Sequence, residues 1–143
     1  MNQNEILIST DRILKILQDS KSIDSFINHI SSCHPLTENF IDKLKNRLNW
    51  DYLSSNHAIS WTGNLIEKYK DKWNWKCLSS NIALPWSLNL IEQYKDKWDW
   101  FKISDNDSIP WSLDLIEIMP EYVYNVIEKY LSEQLIDEIL EKM

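Results

Sequence analysis

Cys33, His34, His57 and Cys77 are the residues from which a metal site would most readily be built, because thiolates and imidazoles are the ligands zinc selects. Their spacing fits no zinc-finger pattern. Cys33 and His34 also place a thiol next to a base. Adjacent side chains on a helix point apart, however, and a general base must reach its nucleophile. No Gly-x-Ser-x-Gly elbow is present. Glycine occurs once, at Gly63, which leaves no phosphate-cradling loop. The expectation is a chain with no catalytic residue, no metal and no cofactor.

Three further residue sets draw attention because they recur. Trp50, Trp61, Trp73, Trp75, Trp86, Trp98, Trp100 and Trp111 offer rings on which bases could stack. Lys70, Lys72, Lys95 and Lys97 sit among them and form the candidate face for a nucleic acid. Asp42, Glu67, Glu92 and Glu117 make a row of carboxylates that could hold cations or a basic partner. Each is expected early in a helix, where the positive end of the dipole stabilises an acid.

The recurrence has one source. Pro35-Leu-Thr-Glu-Asn-Phe-Ile-Asp, Ser60-Trp-Thr-Gly-Asn-Leu-Ile-Glu, Pro85-Trp-Ser-Leu-Asn-Leu-Ile-Glu and Pro110-Trp-Ser-Leu-Asp-Leu-Ile-Glu each begin 25 residues after the last. A fixed period of this length marks a repeat architecture. The units are 36–60, 61–85 and 86–110, followed by a half-unit from 111. The tryptophans occupy three repeat positions, and unit one has Leu36 and Leu48 at two of them. A packing knob tolerates leucine and a stacking platform does not, so the rings are expected in the core. His57 aligns with Ile82 and Asp107, and Cys77 with Tyr52 and Lys102, so neither marks a repeated ligand.

Each unit predicts a long helix, a short helix and a turn. Thr37, Thr62, Ser87 and Ser112 are the expected N-caps. Trp61, Leu65, Tyr69 and Trp73 fall every four residues and predict one apolar stripe along a helix reaching Trp73. Lys68, Lys70, Asp71 and Lys72 are expected to face mostly away from it. Trp50/Leu53, Trp75/Leu78 and Trp100/Ile103 mark the short helix. Asn56, Asn81 and Asn106 follow, suited to a left-handed turn. Ser54, Ser79 and Ser104 suggest local hydrogen bonding. No unit can bury its stripe alone, so stacked units must share a core. The fold class is therefore all-α, an α-solenoid-like array of long-helix/short-helix units with helical caps. One domain spans 1–143. Its cap at 1–34 carries Ile13, Leu14, Ile16 and Leu17, then Ile23, Phe26, Ile27 and Ile30. The repeats fill 35–119. The cap at 120–143 carries Val123, Val126, Ile127 and Tyr130, then Leu135, Ile136, Ile139, Leu140 and Met143, with Ser132 as a cap.

The net charge is −7. Residues 36–110 hold ten acids and ten bases, whereas residues 111–143 hold eight acids and two bases, a net of −6. Such an end repels nucleic acid and attracts basic surfaces. No apolar run approaches the ~18 residues of a membrane span, and the first residues lack the basic start of a secretory signal. A soluble, cytoplasmic protein is expected.

Trp-Ser-Leu-Asn-Leu-Ile-Glu (86–92) and Tyr-Lys-Asp-Lys-Trp-Asp-Trp (94–100) resemble the short tryptophan-rich helical repeats of uncharacterised bacterial and viral proteins. The resemblance covers residue 35 to about residue 117 and implies a helical array with no chemistry. By size and charge the chain is also similar in style to phage-encoded inhibitors of host defence, anti-CRISPR proteins among them. That similarity implies a non-enzymatic protein binder in the host cytoplasm. It would cover a basic partner surface through Glu128, Glu133, Asp137, Glu138 and Glu141. The alternatives are RNA binding through the lysine face and self-assembly as a structural repeat protein.

Overall fold

A computed structural model describes residue 15 and residues 20–121 and 131–142 of the chain. The expected stripes over Ile13–Leu17 and Val123–Tyr130 lie outside the described residues, as do Met143 and Glu128. Among the described residues every element is helical. The helices are α1 (Ser20–Cys33), α2 (Glu38–Leu44), α3 (Trp50–Ser54), α4 (Gly63–Lys68) and α5 (Trp75–Ser79). They continue as α6 (Leu88–Gln93), α7 (Trp100–Ser104), α8 (Leu113–Ile118) and α9 (Glu133–Lys142). α1 and the short helices α3, α5 and α7 pack on one another in chain order, α6 packs on α8, and α9 packs on α8. An all-α repeat array is what the period predicted.

The caps hold as expected. The hydroxyls of Thr37, Thr62, Ser87 and Ser112 accept from the amides of Phe40, Leu65, Leu90 and Leu115 at 3.1–3.3 Å. Ser132 accepts from Leu135 at 3.2 Å. A second set of caps stands inside the aromatic motif. Asn49, Asn74 and Asp99 cap α3, α5 and α7. Each side chain satisfies amides that have no partner in a first helical turn.

The long helix is shorter than its stripe, a correction to the expected helix through Trp73. α4 ends at Lys68. In a continuing helix the Ile66 carbonyl would accept from the Lys70 amide. Instead the Lys70 amide donates to the Glu67 carbonyl at 3.3 Å, and Ile66 accepts from the Trp73 indole at 3.0 Å. The next unit repeats this, with Lys95 on Glu92 and the Trp98 indole on Ile91. Tyr69–Trp73 then runs on as turns that keep the stripe on one side. Leu65, Tyr69 and Trp73 all stay buried.

The tryptophans are core. Trp61, Trp73, Trp98 and Trp100 are buried, and Trp50, Trp75, Trp86 and Trp111 are half-buried against them. Trp50, Trp75 and Trp100 donate to the carbonyls of Lys45, Lys70 and Lys95 at 2.9–3.0 Å. Trp61 and Trp86 donate to Asn56 and Asn81. Trp50 lies 4.8 Å from Trp73, and Trp75 lies 4.8 Å from Trp98, both edge-on. Each pair adds about 0.5–1.5 kcal/mol beyond the area it buries.

Asn56, Asn81 and Asn106 do make turns, but no described non-glycine residue has positive φ. The expected left-handed backbone is absent because the side chain does that work. Each carboxamide oxygen accepts from the amide two residues on, at Ala58, Ala83 and Ser108. Each carboxamide nitrogen reaches back one unit, to the carbonyls of Ser31, Ser54 and Ser79 at 2.9–3.0 Å. A buried amide is tolerated only when satisfied in this way.

The last turns of α1 form a further, concealed half-unit. Ser54 donates to Trp50 at 2.7 Å and accepts from the Asn74 amide at 2.9 Å. Ser79 does the same with Trp75 and Asp99. Ser31 donates to Ile27 at 2.7 Å and accepts from Asn49 at 3.2 Å. Ile30-Ser31-Ser32 thus stands for Leu53-Ser54-Ser55, offset by 23 residues rather than 25.

Candidate functional site

The structure separates the candidate metal ligands. Cys33 is exposed, and its Sγ lies 3.7–3.8 Å from the ring nitrogens of His29, one turn back, rather than against His34. His29 stands at i,i+4 spacing to Cys33, a signal legible in the sequence. His57 and Cys77 line a common depression of about 260 Å³ beside Lys76 and Lys102. Among the described residues no group of three His, Cys, Asp or Glu side chains comes together to hold a metal.

The recurring carboxylates join neighbouring units. The Tyr69 hydroxyl donates to Asp42, and the Tyr94 hydroxyl donates to Glu67. Lys68 bridges Glu38 at 2.8 Å and Asp42 at 2.5 Å. Gln93, its counterpart, donates to Glu67. The helix-dipole explanation of these acids is corrected. Asp42 and Glu67 lie in the last turns of α2 and α4, at the negative end. Hydrogen bonds from Lys68 and Tyr69 hold Asp42 below its ordinary value, and those from Lys70 and Tyr94 do the same for Glu67. Burial first, and then the facing carboxylate, pushes both Tyr69 and Tyr94 up to about 12. After Glu92 the register changes. Met119 stands where Tyr69 and Tyr94 stood, and Ile118 stands where Lys68 and Gln93 stood.

Much of the lysine face is engaged within the protein. Lys70 pairs with Glu67 at 2.7 Å. Lys72 lies over the Trp50 ring and Lys97 over the Trp75 ring, at 5.5 and 5.4 Å. Lys95 is exposed. Lys68 and Lys72 are exposed away from the stripe, as expected, yet their ammonium groups tie one unit to the one before. The Trp50 and Trp75 rings are half-buried against the core.

The acidic end is arranged differently. Glu133, Asp137, Glu138 and Glu141 are exposed on α9. Glu138 and Glu141 share a cleft of about 450 Å³ with Asp114 and Lys142. Lys142 approaches Glu117 at 3.9 Å, the sole base of α9. Leu135 is buried against the array, whereas Ile136 and Leu140, one turn apart, stay exposed beside Glu133 and Asp137. The helix therefore presents an apolar edge with carboxylates along it. No described helix is long and apolar enough to cross a membrane.

No family model matches the chain, and neither a curated protein nor a solved structure proves similar to it.

Proposed function

We propose that this chain is a non-enzymatic protein-binding module that docks through α9 on a basic surface. The observation that supports this is the contrast in how polar groups are used. Asn81, Ser79, Tyr69 and Tyr94, with the carboxylates of Asp42 and Glu67, bond within and between units, whereas the acids of α9 stand in solvent beside exposed Ile136 and Leu140. Apolar contact gives such a surface affinity, and its charge steers encounter with a basic partner. A nucleic-acid-binding effector has such a surface, and covering it is how a small acidic inhibitor of the anti-CRISPR kind would act. The site of action on this reading is the cytoplasm, that of the host if the chain is phage-encoded.

The test immobilises the protein and incubates it with host extract, with and without nuclease treatment, beside a variant carrying Glu133→Lys, Asp137→Lys and Glu141→Lys. A basic protein retained by the wild type and lost by the variant supports the reading. Equal retention by both, or retention that disappears with the nuclease, overturns it; the latter would move attention to Lys70, Lys72, Lys95 and Lys97.

A further inference from the structure

Phe40, Leu65, Leu90 and Leu115 share one repeat position. The three leucines are 2%, 7% and 0% exposed, and Phe40 is 43% exposed. What differs is the neighbour. Glu67 of α4 and Tyr94 beyond α6 show how each long-helix unit is joined to the one before it, and α2 is the first described member of that row. In front of it lies an open groove of about 560 Å³. Phe26 and Ile30 of α1 form one wall, and Phe40 and Leu44 of α2 the other. Arg47, His29 and His34 also line it, and among the described residues no carboxylate does. Among the described residues no helix stacks on this position, which has an apolar floor edged by Arg47.

The opposite end of the array carries the complement. α9 packs on α8, the last long helix. Its exposed Ile136 and Leu140, 40% and 61% accessible, are flanked by Glu133 and Asp137. One end thus offers an apolar groove edged by Arg47, and the other an apolar helix edge lined with acids. We infer that the groove between α1 and α2 receives α9 of a second copy, so that the chains assemble head to tail with the helical row running on from one copy to the next. The contact is heterologous, because each copy uses one end as donor and the other as acceptor. Such contacts extend into open chains unless their rotation closes a ring. The inference rests on α9 being a docking element, as proposed above.

Light scattering after size-exclusion chromatography, over a concentration series of the full chain, tests it. The wild type is expected to grow in mass with concentration. Phe40→Asp blocks the groove and Leu140→Asp blocks the helix edge, so each variant alone is expected to stay monomeric. A mixture of the two retains one intact groove and one intact edge, and is expected to give dimers and nothing larger. Phe26→Asp should reproduce Phe40→Asp from the opposite wall. Circular dichroism and tryptophan emission identify any variant that fails to fold. A wild type that remains monomeric throughout overturns the inference, and so does a mixture that stays monomeric, because the groove then has another occupant such as the chain's own first residues. Assembly lost with capture of a basic partner intact sinks this inference alone. Capture lost with assembly intact sinks the other.

Discussion

The middle of the array and its two ends are built from the same positions and behave as opposites. Between Trp61 and Pro110 many of the repeated polar side chains, such as Ser79, Asn81, Tyr94 and the Trp73 indole, have bonding partners within or between units: amide to carbonyl, hydroxyl to amide, phenol to carboxylate, indole to carbonyl. At the front Leu44 replaces the bonding tyrosine and Phe40 is left in solvent. At the back Met119 and Ile118 take over from the hydroxyl and the amine. The difference teaches that repetition supplies stability only where both neighbours exist. Where the described row begins, the same position becomes surface, as at Phe40, whereas Met119 at the back stays buried.

One register tests this comparison most directly. Leu65→Ala should cost about 2–5 kcal/mol as a buried truncation, whereas Phe40→Ala should cost under ~1 kcal/mol as a surface change. Urea titrations at high dilution, followed by tryptophan emission, measure both, and equal costs would break the comparison. Asn81→Ala should come next. It strands the Ser54 carbonyl and the Ala83 amide, at about 1–3 kcal/mol for each buried group left unpaired. A smaller effect sharpens the boundary between middle and end. Ser31→Ala and Ser79→Ala should each lose about 1 kcal/mol if α1 ends as a genuine unit; a neutral Ser31→Ala would make it a mere cap.

The smallest effect appears only against pH. Tyr69 and Tyr94 keep their protons in the folded state up to about 12, against an ordinary value near 10. Their contribution is complete below pH 10 and is lost as pH rises through about 12. The lowered carboxyls of Asp42 and Glu67 act in the opposite sense. Their contribution is present above the ordinary carboxylate range and is lost as pH falls through the lowered values. Tyr69→Phe with Tyr94→Phe should remove that share of the alkaline decline. It should remove only part of the acid one, because the Lys68 and Lys70 bonds remain.

The period, the hydroxyl caps and the buried tryptophans could be read from the sequence because each recurs at one spacing. Helix length could not, because the apolar stripe continues through turns after the Trp73 indole has taken the Ile66 carbonyl. The unit ending at Ser31 was concealed by a connection two residues shorter than the others. Asn49, Asn74 and Asp99 stand inside the aromatic motif and drew no reading from the sequence, although their types are those of caps. The exposure of Glu133, Asp137, Glu138 and Glu141 was legible from charge. The groove in front of α2 was not, because it depends on which neighbour Phe40 lacks.

The reach of the bonds between units has a mechanical meaning. The links from Asn81, Tyr94 and Asp99 span 20–27 residues, so each connects a unit to the one before it. A pull applied to the two ends would load these links, and the stretch of shared core beside each, in series. The array should therefore yield stepwise, each step releasing a segment of about 25 residues, roughly 80–90 Å of extended chain. Under tension such a molecule lengthens by parts and keeps its remaining units folded.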